Sequence, residues 1–456
     1  MLRSASVFNH AIFLACSVLY SSVSFVALAN QQTVGITLKQ AIQTAQQNDP
    51  WFIANQLQRQ ATLDKSQAAD ALPDPTMSLS LLNLPTDGWD FNQEAMTQFK
   101  VGINQRFPRG ETLAIAKDKL EIQAQKYPVL REHRQAQLAL MVSQAWLDAF
   151  EAEQNIALIN SERGLFEQMV EIANANYASA SGKTRQTDVI SAQLELIRLE
   201  DRLTVQQQKH EVAMAKLNQW LLTSEGQNHF ASNYARTQFH RVSAQLPNLH
   251  SAVMASLLQQ PKVEDIAELV VNHPLVKAID INQRVANKDI ALAEQQFKPQ
   301  WGVNASYAYR ADTPNNQSRA DFFSLGVSFD LPLFTNNLQD KHLSASKTQA
   351  EAIKSEKLMQ MQQLIVEVQT QLKHLARLKQ RQRLYQGELT AQSHEQAEAA
   401  LTAYTNDDGD FAEVLQARLS ELNIKIAALK IQIDTLKTQA QLQYLLHQSQ
   451  QQNTPL

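Results

Sequence analysis

Four short stretches of the chain alternate apolar and polar residues with a period of two. Met77, Leu79 and Leu81 alternate with Ser78 and Ser80, and Phe99, Val101 and Ile103 alternate with Lys100, Gly102 and Asn104. Further on, Trp301, Val303, Tyr307 and Tyr309 alternate with Gly302, Asn304, Ser306 and Arg310. Phe323, Leu325, Val327 and Phe329 alternate with Ser324, Gly326, Ser328 and Asp330. This periodicity predicts strands over about 76–83, 98–107, 300–310 and 322–331. One face of each strand is apolar and aromatic; the other is small, polar or charged. The connecting loops, 84–96 and 311–320, carry turn chemistry in Asp87-Gly88 and Pro314-Asn315-Asn316.

The rest of the pattern is helical. Residues 109–176 and 338–403 each predict a helix of about 100 Å at 1.5 Å per residue. The returning helices carry heptads: Leu415, Leu419, Leu422, Ile426, Leu429, Ile433 and Leu436 in one, and Ala192, Leu196, Leu199 and Leu203 in the other. Such spacing predicts coiled-coil packing. Pro128 is expected to kink or interrupt the first long helix. Thr37 and Gln40 form a capping box. Asp49-Pro50 and His273-Pro274 restart a helix with proline at its first position.

These elements occur twice. Pro50 and Pro274 stand 224 residues apart, as do Pro75 and Pro299, Gly102 and Gly326, and Pro108 and Pro332. The offset is 223 for Gly164 and Gly387, and 227 for Tyr177 and Tyr404 and for Gly182 and Gly409. Residues this rare do not fall in register over such a span by chance, so the chain reads as two copies of one unit. The division is a first repeat over 30–222, a linker over 223–261, a second repeat over 262–448 and a tail over 449–456. Hairpin tips are expected at about 177–188 and 404–413.

Residues 1–29 stand apart. Arg3 precedes an apolar stretch from Ala11 to Ala29 that ends in Ala27-Leu28-Ala29, which reads as a signal peptide with its cleavage site. The only cysteine, Cys16, leaves with that segment; lipidation of Cys16 is the alternative, with Phe13 a poor fit three residues before it. The formal net charge of −4 argues against a nucleic-acid partner. No apolar run of 18 residues follows the signal segment, so a membrane-embedded product has to use strands. The predicted strands have the length and the apolar-out, polar-in alternation of an outer-membrane barrel. A soluble hairpin with one face on a core is the plainer alternative. Four strands cannot close a useful barrel, so three chains supplying twelve strands are expected.

Particular residues carry a family resemblance. Leu72-Pro73-Asp74-Pro75 leads into the first strand. Gln105-Arg106-Phe107-Pro108-Arg109-Gly110 and Asp330-Leu331-Pro332-Leu333-Phe334 close the second strand of each copy. Tyr177 to Gln193, with Gly182 and Asp188-Val189-Ile190, matches one tip. Tyr404 to Arg418, with Gly409-Asp410-Phe411 and Glu413-Val414-Leu415, matches the other. On these residues nearly all of the chain past the signal segment resembles the TolC family of outer-membrane efflux proteins. Its details most resemble the heavy-metal branch, the relatives of CzcC and CusC.

The resemblance implies a mainly α fold with membrane β: a strand pair plus a long coiled-coil hairpin, duplicated. It implies a homotrimer with a 12-stranded barrel in outer-membrane lipid and a helical barrel in the periplasm. The partners would be a periplasmic membrane-fusion adaptor and an inner-membrane RND pump. The implied role is passive conduction of metal cations or small toxic compounds, without enzymatic chemistry or cofactor. By position within the motifs, Asp188 and Glu413 match a periplasmic gate, with Asp407, Asp408 and Asp410 adding charge. Tyr177, Gly182, Tyr404 and Gly409 would contact the adaptor. Gly409 stands where relatives place an arginine that ties the two tips, and Lys183 and Arg185 are expected to pair with the acidic second tip instead.

Other signals carry no chemistry. Ser181-Gly182-Lys183-Thr184 mimics the end of a phosphate-binding loop, but Tyr177 replaces the glycine that loop needs. The 11 histidines lack metal-ligand spacing. Met77, Met96, Met359 and Met361 read as packing rather than copper ligands. Alternatives to the efflux reading are the duct of a type I protein secretion system, a periplasmic adaptor or scaffold, and an intracellular coiled-coil protein.

Overall fold

The computed structural model describes residues 35–178, 185–222, 239–406 and 408–447. The signal segment, the tail and part of the linker lie outside the described residues, as do the tip residues Gly182, Lys183 and Asp407. The chain divides into two compact units. One comprises Met1–Asn48, Met141–Leu249 and Leu378–Lys437; the other comprises Asp49–Leu140, His250–Arg377 and Thr438–Leu456.

The helices are α1 (Leu38–Asn48), α2 (Trp51–Ala69), α3 (Thr112–Ala124), α4 (Lys126–Ala178) and α5 (Gln186–Leu221). They continue with α6 (Ala252–Gln259), α7 (Val263–Val271), α8 (Pro274–Gln295), α9 (Gln339–Leu384), α10 (Thr390–Thr405) and α11 (Phe411–Leu445). The strands are β1 (Thr76–Leu82), β2 (Gln98–Phe107), β3 (Trp301–Tyr309) and β4 (Phe322–Phe329). A helix, two strands, a long helix and a returning helix thus follow one another twice.

In the first unit, α1 begins where the capping box forms. The Thr37 amide donates to Gln40 Oε1 at 3.1 Å, and the Gln40 amide donates to Thr37 Oγ1 at 3.3 Å. Just before it, Ile36 bridges in parallel to Val242, and the fully buried Trp146 donates from Nε1 to the Ile36 carbonyl at 2.8 Å. Gly35 is required there, because a Cβ would lie 2.2 Å from the Val242 carbonyl oxygen. The hairpin helices close around Ile159, Phe166, Met169, Val189, Leu199, Val414, Leu415 and Leu422. The heptad leucines Leu415 and Leu422 lie at the centre of this core, and Leu196, Leu203, Leu419 and Ile426 pack against it.

In the second unit, α2 packs on α3 and α3 on α8. Lys117–Asp70 at 2.8 Å, Lys119–Asp289 at 2.5 Å and Lys288–Asp118 at 3.1 Å run along these seams. A separate core unites Met254 and Leu257 of α6, Ile266 and Val270 of α7, Val276 of α8, Val368 and Leu372 of α9, and Leu442 and Leu445 of α11.

Neither long helix runs without interruption. The first long helix is broken: α3 ends at Ala124 and the Gln125 amide donates to Ile122 at 3.1 Å before α4 starts. Pro128 causes this from one turn downstream, since it lacks an N–H and its ring crowds the carbonyl of Ala124. The second long helix is interrupted by a π-helical turn, Tyr385–Leu389, around Gly387. Within the linker, Ala252–Gln259 forms α6.

Trp146→Ala is expected to destabilise the first unit by about 3–5 kcal/mol, the usual loss for a buried large aromatic. Urea unfolding of the full chain, followed by far-UV circular dichroism, measures it.

Candidate functional site

The four strands form one antiparallel sheet in the order β1-β2-β3-β4. The central pair, β2 with β3, joins the two copies: Val101 faces Tyr307 and Gly102 faces Ser306. In the outer pairs, Leu79 faces Val101 and Ala305 faces Leu325. Every inner strand is paired on both sides, while β1 and β4 each keep one edge without a strand partner among the described residues.

The alternation of the sequence becomes two faces. Met77, Leu79, Ile103, Trp301, Tyr307, Phe323, Leu325 and Val327 lie exposed, Phe323 at 71% and Leu325 at 69%. Exposed Leu331, Leu333 and Phe334 follow directly after β4. The opposite face is built of small and polar groups. Gly326 sits under Asn304, whose Oδ1 would lie 2.7 Å from any added Cβ. Charge on that face is scarcer than the alternation suggests. Lys100 lies within β2, but Arg310 and Asp330 fall outside the strands, because β3 ends at Tyr309 and β4 at Phe329.

Those two charges pin the sheet's ends. Arg310 stacks on Phe322 at 3.9 Å and donates to the carbonyls of Ala320 at 2.9 Å and Ala95 at 3.3 Å. Arg319 donates to the Glu94 carbonyl at 3.1 Å, so the two loops hold each other. At the other end, Arg109 pairs with Asp330 and also donates to the Lys298 carbonyl at 2.6 Å. Gly110 turns the chain there with φ of +47°.

The hairpin ends lie in the other unit. Asp188 caps its own helix: its Oδ2 accepts from the Arg185 amide at 2.8 Å. Asp410 likewise opens α11, accepting from the Ala412 amide at 3.2 Å. Glu413 stands exposed in the first turn of α11. A carboxylate in either place is favoured by the helix dipole, a structural role independent of any gate. Gly409 is needed for the turn, since a Cβ would lie 2.8 Å from the Tyr404 amide nitrogen. Tyr177 is exposed. Pairing of Lys183 with the second tip falls on residues outside those described, and the acidic group stands without Asp407 for the same reason.

Sequence reasoning missed the contacts that tie the hairpins. Asn176 Nδ2 of α4 donates to the Tyr404 hydroxyl of α10 at 2.8 Å, and Tyr404 meets the Phe411 ring edge-on at 5.6 Å. Farther along, Arg418 and Glu421 of α11 are buried together. Arg418 donates to Glu398 at 2.6 Å and to Glu421 at 3.0 Å. Glu421 also meets His394 at 2.8 Å and Lys425 at 3.0 Å, and Lys425 reaches Glu162 of α4 at 2.8 Å. Burial by itself would raise the Glu421 pKa. Hydrogen bonds from Lys425, His394 and Arg418 outweigh it and hold the carboxyl below its ordinary value.

No family model matches the chain, and no curated protein matches it in sequence. Its fold does match solved structures. One is the outer membrane protein VceC from Vibrio cholerae, at 14% identity over 90% of this chain and 95% of that one, with a TM-score of 0.70. Another is the outer-membrane channel OprN, at 13% identity over 90% of both chains and a TM-score of 0.72. The chain has the fold of these outer-membrane channels. CusC, studied for its transmembrane channel formation, is similar to a like degree: 15% identity, 90% of this chain, 91% of that chain and a TM-score of 0.68. The likeness does not single out a heavy-metal branch.

Glu421→Ala leaves Arg418 buried beside one fewer carboxylate and is expected to cost about 3 kcal/mol. The cost should be present at pH 7, above the carboxyl's unfolded value, and should fade as acid takes the pH below its lowered folded value. Urea midpoints of both proteins from pH 7 to 3 test this.

Proposed function

We propose that this chain is one subunit of the outer-membrane exit duct of a tripartite efflux system, a member of the TolC family. The observation that carries the reading is the four-stranded sheet, with its apolar face exposed and the outer edges of β1 and β4 without a strand partner among the described residues. In hydrocarbon such edges cannot remain open. Joining β4 of one copy to β1 of the next closes the sheet, and three copies give a 12-stranded barrel. The apolar face then meets lipid and the face of Gly326, Asn304 and Ser306 lines a wet lumen.

The hairpins would form the periplasmic tunnel, and their ends would meet a periplasmic adaptor linked to an inner-membrane RND pump. Tyr177, Tyr404 and Gly409 would make that contact, together with Gly182 of the same tip as Tyr177 in the sequence. Three copies of Asp188, Asp407, Asp408, Asp410 and Glu413 would ring the opening with negative charge, drawing cations and repelling anions. Metal cations or small toxic compounds are the proposed cargo. Conduction through the duct is passive, so the pump supplies the energy. Residues 1–29 would direct export and be removed.

The test is planar-bilayer conductance of the purified mature protein, with its oligomer mass measured in detergent. A trimer with cation-selective openings is the expected result; a monomer that never inserts overturns the reading. Leu325→Arg places a charge on the lipid face and is expected to cost about 2–4 kcal/mol of insertion, read as loss of heat-resistant trimer in membranes. Tyr404→Phe removes the bond from Asn176 and should raise open probability, with single-channel current unchanged. Asp408→Asn with Glu413→Gln should lower cation selectivity, read from reversal potentials in a salt gradient.

A further inference from the structure

Three histidines that the exit-duct reading leaves without a task meet at one joint in the second unit. His273 is the N-cap of α8 and is 1% exposed. Its Nδ1 accepts from the Leu275 amide at 3.3 Å, so in the neutral ring the proton sits on Nε2. His133 of α4 lies 6.1 Å away between ring centroids, and His447, just past α11, lies 6.3 Å away. Tyr444 of α11 packs against both His273, at 5.5 Å, and His133, at 5.9 Å. Nε2 of His273 and Nδ1 of His133 are both buried without a hydrogen-bond partner. The Val270 carbonyl of α7 accepts from the His273 amide at 2.9 Å, and α9 adds the apolar Leu364, Val368, Leu372 and Leu375 to the adjoining core.

The charges around the joint are few. Glu132 of α4 is 3.8 Å from His447 Nε2, Lys277 of α8 acts on His447, and Arg134 of α4 acts on His133. Arg134 is itself held by Asp49 at 2.8 Å. None of these carboxylates reaches His273.

A second proton on His273 has only one place to go: Nδ1, the cap acceptor. There it would face the Leu275 N–H, donor against donor. The new positive charge would also sit at the positive end of the α8 dipole and among buried rings. A metal bound at Nε2 would force the proton onto Nδ1 and break the same cap. Among the described residues no group of three ligands is arranged for a metal.

The first copy supplies an internal comparison. At the equivalent station, Asp49 precedes Pro50 and its Oδ1 accepts from the Trp51 amide at 3.0 Å. A carboxylate in that place never acquires positive charge; the imidazole of the second copy does.

We propose that this joint is an acid-operated release. Acidification frees the start of α8 from α4 and from the end of α11, and so loosens the helix that leads into β3 while the first copy stays capped.

The titration runs in the required direction. Burial first, then His133 and His447, lower the His273 pKa from 6.5 to about 4, outweighing the hydrogen-bonding pull of the Tyr444 backbone that raises it. Burial also lowers His133, aided by His447 and Arg134; it lowers His447 against Glu132 and with Lys277. The opened joint therefore binds more protons than the closed one below the ordinary histidine value. Its stability is complete above about pH 6.5 and falls as the pH drops toward 4.

The test is hydrogen exchange, read by mass spectrometry on the full protein in detergent at pH 7.5 and 5 and corrected for the intrinsic pH dependence. Peptides over 273–280 and 440–447 should exchange on the order of tenfold faster at pH 5, and those over 50–56 should not. His273→Asn keeps a side-chain acceptor that cannot charge, and should abolish the acid-induced increase. Should that variant fail to fold, His133→Gln with His447→Gln is expected to cut the increase at least severalfold. Equal protection at both pH values in the native protein, or an unchanged increase in a folded variant, overturns the proposal. The readout requires no channel, so it stands or falls separately from the exit-duct reading.

Discussion

The exposed apolar face of the four-stranded sheet sets the conditions that the rest of the structure has to meet. A sheet that faces water on both sides would bury or blunt such a face. Here Phe323, Leu325 and Val327 on β4 and Met77 and Leu79 on β1 remain open, and they sit on the two strands that also lack an outer partner among the described residues. Apolar exposure and unpaired backbone therefore coincide, and the proposed pairing of these edges between copies would resolve both. Register matters for the same reason: a slip of one residue would exchange the faces. The Arg310 and Arg319 contacts at one end, and Arg109 with Asp330 at the other, hold the strands of both copies in a single register.

The helical hairpins solve a different problem. An apolar seam of leucines and alanines is repetitive, and a heptad shift along it changes little apolar contact. The buried Arg418–Glu421 pair is specific where the seam is not. Its partners come from α10, α11 and, through Lys425, α4, and they align in one arrangement only. A buried ion pair need not add net stability; its contribution here is to fix which turns face one another. The Asn176–Tyr404 bond does the same at the hairpin ends with two neutral groups.

The parts of this arrangement that could be read from sequence are those whose cause is local. Alternation around Ser78 and Gly326 marks strands because a strand's faces differ at each step. Thr37 and Gln40 cap α1 because both partners lie within one turn. The parts that could not be read depend on residues far apart in the chain. Asn176 and Tyr404 are separated by 228 positions, and Lys425 and Glu162 by 263, so no window contains either pair. Asp188 and Asp410 were legible as acidic tip residues but not as caps, since capping depends on where each helix begins. Proline at 128 announces an interruption, yet the break appears at Gln125, on the side where the missing hydrogen bond would have been accepted.

The two copies differ in how they absorb irregularity. Their offset is 223 residues at Gly164 and Gly387 but 227 at Tyr177 and Tyr404. Between those points the second copy carries a surplus of about one helical turn. A four-residue surplus in a heptad seam overshoots a turn and would rotate the apolar stripe off its partner. The π turn at Tyr385–Leu389 falls at that place, with Thr390 donating its hydroxyl to the Tyr385 carbonyl at 2.6 Å. Widening one turn takes up part of the surplus and lets α10 resume with Ala397 and Ser393 buried. Gly387 lies within this turn, with nothing within 4 Å of where a Cβ would be. The first copy has no surplus there, and α4 runs through Gly164 without interruption to Ala178. Two hairpins of unequal length can therefore end at one level, where Asn176 of the first reaches Tyr404 of the second.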